Sequence, residues 1–199
     1  MEKQLIISVG REFGSGGHEI AEKLAKHYGI LMLDHNLLDE IAAEREHMDA
    51  EEVRHLDEKH NTPFFSRTVR GYSSSPQANI SLLQFDYLQK KAKSGESFVI
   101  VGRCSEDVLK DYDSLVSIFI LGDKKVKTER IMKLYNLPQN LAERLIHEKD
   151  MKRKRYHNGF CEGKWGDSRN YDISVNSSVL GIDQTVEILI DFIDKKRAM

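Results

Sequence analysis

Short apolar segments alternate with longer segments of helical periodicity along this chain. Five of the apolar segments have the length of buried strands, and several are rich in β-branched residues. They run from Leu5 to Val9, Ile30 to Leu33, Phe98 to Gly102, Leu115 to Leu121 and Tyr171 to Val175. Apolar strands that alternate with helices are typical of a parallel sheet with helices on both faces. The pattern therefore predicts an α/β fold whose ligands gather at the carboxyl ends of the strands.

Helices are predicted where apolar residues recur every three or four positions. The first helix follows the first strand, and Gly29 is expected to end it. The others run from about Asn36 to Arg45, Ile80 to Lys93, Lys124 to Tyr135, Pro138 to about His157 and Ile182 to Lys195. The charged residues 44–59 predict one or two solvent-exposed helices, and residues 61–77, with two prolines and four serines, predict a mobile loop.

The length and composition fit one soluble domain. The 199 residues suffice for one core, and 40% of them are hydrophobic and 31% charged. The net charge of −2 argues against a nucleic-acid partner, and no segment suggests a membrane span. Cys104 and Cys161 lie far apart in sequence, which argues for a reducing interior rather than a disulfide framework. No signal peptide precedes the first strand, so we expect a cytoplasmic protein, and the eight histidines show no convincing metal spacing.

A glycine-rich turn between the first strand and the first helix is the clearest candidate for chemistry. Four glycines occur in the eight residues from Gly10 to Gly17. A strand, a glycine turn and a helix in this order direct backbone N–H groups at a phosphate, which lies at the positive end of the helix. The turn predicts phosphate binding by the backbone from Gly14 to His18, and an ordinary glycine-rich turn is the alternative. In the consensus G-x-x-x-x-G-K-[ST], Gly17 occupies the lysine position.

A cationic segment lies between the fourth and fifth predicted strands. Five of the seven residues from Lys149 to Arg155 are lysine or arginine. Charge alone favours a solvated helix, and a nucleic-acid patch is the other general interpretation. The position of the segment adds a third, because small nucleotide kinases keep a basic lid at this point of the chain. Phosphoryl transfer needs cations around the moving phosphate and the exclusion of water, and a mobile basic lid supplies both.

A set of short motifs, in order along nearly the whole chain, resembles the cytidylate kinase-like family. The motifs are Gly10-Arg11-Glu12-Phe13-Gly14-Ser15-Gly16-Gly17, Val101-Gly102-Arg103, Asp150-x-x-Arg153-x-x-Tyr156, Trp165-Gly166-Asp167, Tyr171-Asp172-Ile173 and Leu180-Gly181. The resemblance implies a P-loop kinase fold with three α/β/α layers, a five-stranded parallel sheet and a helical lid at about residues 138–170, in one domain of residues 1–199. It also implies transfer of the γ-phosphoryl group of ATP to a nucleoside monophosphate such as CMP, or to a related small acceptor, with Mg²⁺ on the phosphates.

The resemblance further implies roles for single residues. The residues expected to bind ATP are Gly10, Arg11, Gly14, Ser15, Gly16, Gly17, His18 and Arg130. Arg103 is expected to hold the acceptor phosphate, and the lid cations Lys149 and Arg153 to act with it in catalysis. Ser15 and Asp34 are the candidate Mg²⁺ ligands.

The chain departs from the family at two catalytic positions. The loop lysine is absent, and Val101 stands where cytidylate kinases have an aspartate that organises Mg²⁺. By position, Arg11 is the best replacement for the lysine, and Asp34 and Glu12 are the best replacements for the aspartate. Two functions stay open: an ATP-dependent kinase, or a nucleotide- or anion-binding sensor of the same fold with impaired catalysis. The sequence identifies neither the acceptor nor the oligomeric state.

Overall fold

The computed structural model describes residues 3–34 and 76–199. The helix expected from Asn36 to Arg45, the charged helices expected at 44–59 and positions 61–75 of the expected loop lie outside the described residues.

Five parallel strands of the described residues form one sheet in the order β2-β3-β1-β4-β5. Their bounds are β1 Ile6–Arg11, β2 Leu31–Leu33, β3 Phe98–Val101, β4 Leu115–Leu121 and β5 Ile173–Asn176. The central strand β1 pairs with β3 and β4, so that Ile6 lies opposite Phe98 and Leu115. These three strands are covered on both faces, which is why their sequences are almost continuously apolar. The predicted five-stranded parallel sheet is confirmed.

Six helices lie in the described residues. Their bounds are α1 Gly17–Tyr28, α2 Pro76–Lys93, α3 Ser105–Val108, α4 Lys124–Tyr135, α5 Gln139–Phe160 and α6 Ser177–Ala198, with a 3₁₀ turn at Ser168–Asn170. Gly29 ends α1 in the left-handed conformation with φ of 63°, as predicted.

Three of these helices begin at positions that the sequence did not predict. α2 begins at Pro76, so the predicted loop was wrong at its last two positions; a proline fits the first turn of a helix because its missing N–H is not needed there. α3 has only four residues, too few to show a helical period, and the sequence did not predict it. α6 begins at Ser177 and is kinked at Gly181, and the predicted helix corresponds to the part after the kink.

Two buried clusters, one on each face of the sheet, make the protein a three-layer α/β/α structure. On one face α1 and α6 pack on the sheet, for example through Leu24 and Leu189 against Val9. On the other face α2 contributes Leu88, which packs with Phe98 and other strand residues. A third, smaller cluster joins α4 to α5 through Ile131, Ala142 and Ile146. Helix α5, the predicted lid, thus packs on α4.

The carboxyl ends of the strands lead into the segments that carry the predicted site residues. β1 runs into the glycine loop, β2 ends before Asp34, β3 before Gly102 and β4 before Gly122. Because all five strands are parallel, these segments lie at one edge of the sheet. No helix in residues 3–34 or 76–199 is both long and apolar enough to cross a membrane.

Candidate functional site

The glycine loop of residues 12–16 connects β1 to α1 at this edge of the sheet. Gly14 and Gly16 have φ angles of 85° and 80°, which L side chains rarely adopt, so the loop requires glycine at both positions. The hydroxyl of Ser15, between them, donates to the backbone carbonyl of Glu12 at 2.9 Å. α1 begins directly after the loop, and the first N–H groups of a helix have no partner within it. This is the geometry expected of a phosphate-binding loop.

Two further glycines of the motif make room for neighbouring side chains. A Cβ atom on Gly17 would lie 2.5 Å from the Cβ of Arg11, so the stem of this arginine fills the space beside residue 17. Gly10 lies inside β1, where a Cβ atom would approach the ring of Phe119 to 2.8 Å. The structure therefore explains Gly10 by the packing of an aromatic ring, and its contact with phosphate stays a prediction.

Three arginines from separate elements gather beside the loop. Arg11 at the end of β1 extends to Gly102, where a Cβ atom would overlap its Nη1. Arg153 of α5 donates from Nη1 to the carbonyl oxygen of Arg11 at 3.1 Å. Burial is the main cause that lowers the pKa of Arg11 to about 9, and the positive charges of Arg153 and Arg103 act in the same direction. The guanidinium stays protonated at neutral pH, so positive charge is concentrated at this edge of the sheet.

Arg103 lies two residues after the end of β3 and has a positive φ of 59°. Its charge acts on Arg11, which places the predicted acceptor-binding arginine next to the proposed replacement for the lysine. Arg130 of α4 lies on the other side of the loop: its Nη2 is 2.7 Å from Oε2 of Glu19 in the first turn of α1. The structure thus brings Arg103 and Arg130 to the same edge as the glycine loop.

Helix α5, which the sequence predicted to be a lid, contacts the glycine loop directly. Oδ1 of Asp150 accepts a hydrogen bond of 2.6 Å from the backbone N–H of Phe13. The guanidinium carbon of Arg153 lies 5.4 Å from the centre of the Phe13 ring, within cation–π range. Burial raises the pKa of Asp150, and these favourable contacts oppose that shift. Lys149 is exposed. In contrast to Asp150 and Arg153, its side chain makes no ion pair or hydrogen bond with the residues the structure describes.

Lys127 of α4 is a residue of this edge that the sequence did not predict. Its Nζ lies 2.8 Å from Oε2 of Glu12 and 3.6 Å from Oδ2 of Asp150, and its side chain is only 9% exposed. The same Glu12 oxygen accepts a bond from the N–H of Gly122 at 3.1 Å. Glu12 therefore fastens the glycine loop to α4 and β4, and its carboxylate is already occupied. A single lysine in a charged helix gives no sequence signal that it is buried.

The residues predicted to bind Mg²⁺ supply two oxygen donors. The hydroxyl proton of Ser15 goes to the carbonyl of Glu12, which leaves the oxygen lone pairs to accept. Oδ2 of Asp34 lies 2.9 Å from Nδ1 of His18, and its Oδ1 lies 3.9 Å from Nη2 of Arg11. Mg²⁺ in phosphoryl-transfer sites is held by one or two protein oxygens together with the phosphates of the substrate. The Ser15 hydroxyl and the Asp34 carboxylate fit this small number of protein ligands.

A second cluster of reactive side chains lies between α3 and the end of α5. Nε2 of His157 is 2.5 Å from Oε1 of Glu106, and both side chains are buried. Burial by itself would lower the pKa of His157, but contacts with Cys161 and Glu106 outweigh it and raise the pKa to about 10. The thiols of Cys161 and Cys104 also interact. His157 and Cys161 are four residues apart on a helix, a spacing that sequence reasoning overlooked.

The chain resembles known proteins over most of its length. The sequence model of the cytidylate kinase-like family matches residues 6–179. A cytidylate kinase from Pyrococcus horikoshii is 28% identical over 195 residues, which cover 96% of this chain and 91% of that protein. The solved structure of an uncharacterized protein from Eubacterium ventriosum is 39% identical, with coverage of 96% and 99% of the two chains and a TM-score of 0.77. A shikimate kinase from Bacteroides thetaiotaomicron is 14% identical, with coverage of 96% and 98% and a TM-score of 0.55.

The likeness to the shikimate kinase concerns the fold alone. It agrees with the parallel sheet covered by helices on both faces and with the glycine loop after the central strand, which together form a P-loop kinase fold. The family match spans nearly all of the described site, from the glycine loop to the end of β5. The chain therefore belongs to the cytidylate kinase-like family.

Proposed function

We propose that this protein is a nucleotide kinase, which transfers the γ-phosphoryl group of ATP to a nucleoside monophosphate such as CMP or to a related small acceptor. The observation that carries the proposal is the convergence of Arg11, Arg103 and Arg153 beside a glycine loop at a helix N-terminus. A site that binds two polyanions and must stabilise the charge moving between them needs this concentration of cations. Membership of the family and the name of the curated relative support the same reaction.

In the proposed reaction the donor phosphates lie on the backbone of residues 14–18. A phosphate oxygen of the acceptor attacks the γ-phosphorus, and a new P–O bond forms. The bond from the γ-phosphorus to the bridging oxygen breaks, and ADP leaves with its electron pair. Mg²⁺, when bound near Ser15 and Asp34, would neutralise charge on the β- and γ-phosphates. Arg103 orients the acceptor phosphate through its planar guanidinium, and Arg153 brings the charge of the lid to the glycine loop.

Arg11 replaces the loop lysine in this proposal. The stem of Arg11 lies where the first carbon of a side chain at residue 17 would be, so a lysine at 17 and Arg11 in this position exclude each other. Arg11 therefore brings a positive charge to the loop from the preceding strand instead of from the helix. Lys127 is the other nearby cation, but its contacts with Glu12 and Asp150 favour a role in holding the loop to the lid.

A steady-state assay with ATP and a panel of nucleoside monophosphates tests the proposal, and Arg103→Lys tests the site. Lysine keeps the charge but loses the two-pronged contact with phosphate. We expect the KM of the acceptor to rise about tenfold, as for a lost charged hydrogen bond of about 1.5 kcal/mol, with a smaller change in the KM of ATP. Arg144→Lys, at an exposed position of α5, is the matched control and should leave both constants unchanged.

The alternative is a nucleotide- or anion-binding sensor with impaired catalysis, and the glycine at position 17 favours it. The same assay separates the two functions. If ATP binds, as measured by calorimetry, but no monophosphate in the panel is phosphorylated, the kinase proposal is wrong and the sensor is favoured. If the assay detects transfer but Arg103→Lys raises both KM values equally, the kinase stands and the role of Arg103 is structural.

A further inference from the structure

The cluster at the end of α5 brings together ligand types that the proposed phosphoryl transfer does not use. His157 and Cys161 come from the last turn of α5, and Cys104 and Glu106 come from the start of α3 after β3. The carboxylate of Glu106, the imidazole of His157 and the thiol of Cys161 each place one ligand atom within 4.8 Å of the other two. The thiol of Cys104 is near enough to Cys161 to be the main cause that lowers the pKa of Cys161 to about 7. Two short segments that are far apart in sequence, residues 104–106 and 157–161, thus come together here.

We propose that this cluster is a zinc site, in which Cys104, His157 and Cys161 bind the ion. Two thiolates and one imidazole are the ligand types that Zn²⁺ prefers, and they discriminate against Mg²⁺ and Ca²⁺, which take oxygen ligands. Zn–S and Zn–N bonds of about 2.3 and 2.0 Å set ligand atoms between 3 and 4 Å apart. The ligand atoms of Glu106, His157 and Cys161 already lie within 4.8 Å of one another, so small side-chain movements bring His157 and Cys161 to this spacing.

The state of His157 supports the assignment independently. Its side chain is only 6% exposed, and its Nδ1 has no hydrogen-bond partner, whereas Nε2 lies 2.5 Å from Glu106. A histidine that binds a metal through one ring nitrogen almost always donates from the other to a carboxylate. Glu106 is placed to be that carboxylate, and Nδ1 is the nitrogen left for zinc. A buried nitrogen without a partner is costly, and coordination removes the cost.

The surroundings offer a route for the ion and a place for a fourth ligand. A cavity of about 180 Å³ is lined by Glu106, His157 and Cys161 among others. Cys161 is half-buried and lines this cavity, whereas Cys104 is buried and does not line it. A water molecule from the cavity would complete four ligands around zinc.

The site connects two parts of the fold. Cys104 directly follows Arg103, the residue proposed to hold the acceptor phosphate, and Cys161 caps the lid helix α5. Zinc would therefore fasten the end of the lid helix to the loop after β3. This role is independent of the proposed kinase activity, because the same structural bond would serve a sensor equally well.

Metal binding by the full-length chain without a tag tests the proposal. The protein is reduced with a phosphine, freed of metal with a chelator and titrated with Zn²⁺ or Co²⁺ alone. We expect one ion per chain and the absorption bands of Co²⁺ bound to thiolate. Glu106→Gln should weaken zinc binding by about 10–100-fold, as is typical of groups that support a ligand, and Cys161→Ser should weaken it further. His147→Gln, at an exposed position on the same helix, is the control and should bind as the wild type does.

Three results would overturn the proposal. The first is reduced wild-type protein that takes up no zinc and gives no thiolate bands with Co²⁺. The second is a Glu106→Gln or Cys161→Ser variant, folded by circular dichroism, that binds zinc as tightly as the His147→Gln control. The third is a thermal midpoint of the wild type that is the same with and without zinc. If Cys161→Ser fails to fold, the Co²⁺ spectrum of the wild type and the zinc affinity of Glu106→Gln still decide whether the proposal holds.

Discussion

At the scale of single residues, two separate requirements explain why position 16 is a glycine. Its φ of 80° disfavours any side chain, and a Cβ atom would approach Cδ1 of Ile182 to 2.7 Å. Gly95 has a nearly identical φ of 82°, but a Cβ atom there would meet nothing within 4 Å. Gly95 precedes β3, at the edge of the sheet opposite the glycine loop. The pair therefore separates the cost of backbone strain from the effect on the phosphate loop.

We expect Gly16→Ala and Gly95→Ala each to lower the free energy of unfolding by about 1–2 kcal/mol through the left-handed backbone. Gly16→Ala should lose more because of the contact with Ile182, and it alone should weaken ATP binding, by tenfold or more. Urea denaturation gives the stabilities, and calorimetry gives the affinities for ATP. Equal ATP affinity in the two variants would mean that the backbone at Gly16 does not contact the phosphates.

The sequence predicted the residues of the glycine loop but not all of their neighbours. The loop was predictable because strand, glycine turn and helix follow one another within 20 residues. Arg11 lies beside Gly17 and Gly102, and its role as the replacement for the lysine stays a prediction. Lys127 was missed, because its burial depends on Glu12 and Asp150, which come from two other elements. Gly10 matched the motif, yet its structural reason is the ring of Phe119, which no local pattern reveals.

At the scale of elements, the carboxylate of Asp150 accepts a direct hydrogen bond from the glycine loop to α5. Asp150 accepts a bond from the N–H of Phe13 and lies 3.6 Å from Lys127. Asp150→Ala should lower the free energy of unfolding by about 1–2 kcal/mol, because an N–H in a partly buried loop loses its acceptor. Burial disfavours the charged Asp150 carboxylate and raises its pKa. Removing the carboxylate also removes this cost, so the expected loss of stability is near the lower value.

Glu148→Ala is the matched control for this prediction. Glu148 lies on the same helix, and its loss removes an exposed pair with Arg144 of 2.9 Å, which should contribute almost nothing to the free energy of unfolding. Hydrogen exchange across residues 145–165 supplies a second measurement, since loss of the Asp150 contact should speed exchange in α5. If both variants have the same stability and exchange, α5 is held to the body by the cluster between α4 and α5 and not by the loop contact.

The boundaries of elements were predictable to different degrees for physical reasons. The limits of β4 and α4 were predicted correctly, since an apolar strand and the left-handed Asn136 mark them sharply. α5 continues three residues beyond the predicted end at His157, and this extra turn carries Cys161 to the zinc cluster. Its length could not be deduced, because the stabilising contacts come from residues near position 104.

At the scale of the whole molecule, the alternation of apolar strands and helices was enough to predict a parallel sheet with two covered faces. The order of the strands was not contained in that pattern, because periodicity reports burial and not which strand lies next to which. The meeting of Cys104 with Cys161 has the same cause: their distance in sequence suggested independence, and the fold brings them together. The family resemblance indicated which distant residues belong to the phosphate site, because the motifs of that site are local. It gave no such information for the cluster around His157 and Cys161.

Binding of a nucleotide at the edge of the sheet should stabilise the entire fold. A ligand at 100 times its Kd adds about 2.7 kcal/mol to the free energy of unfolding, when it binds only the folded state. For a chain of this size each kcal/mol raises the Tm by about 2–4 °C, so saturating ATP with Mg²⁺ should raise it by about 5–10 °C. Adenosine lacks the phosphates that the glycine loop and the arginines attract, and should give almost no shift. Differential scanning fluorimetry measures both. No shift with ATP would contradict the kinase and the nucleotide-binding sensor alike. An equal shift with adenosine would mean that the nucleoside, and not the phosphates, supplies the binding energy.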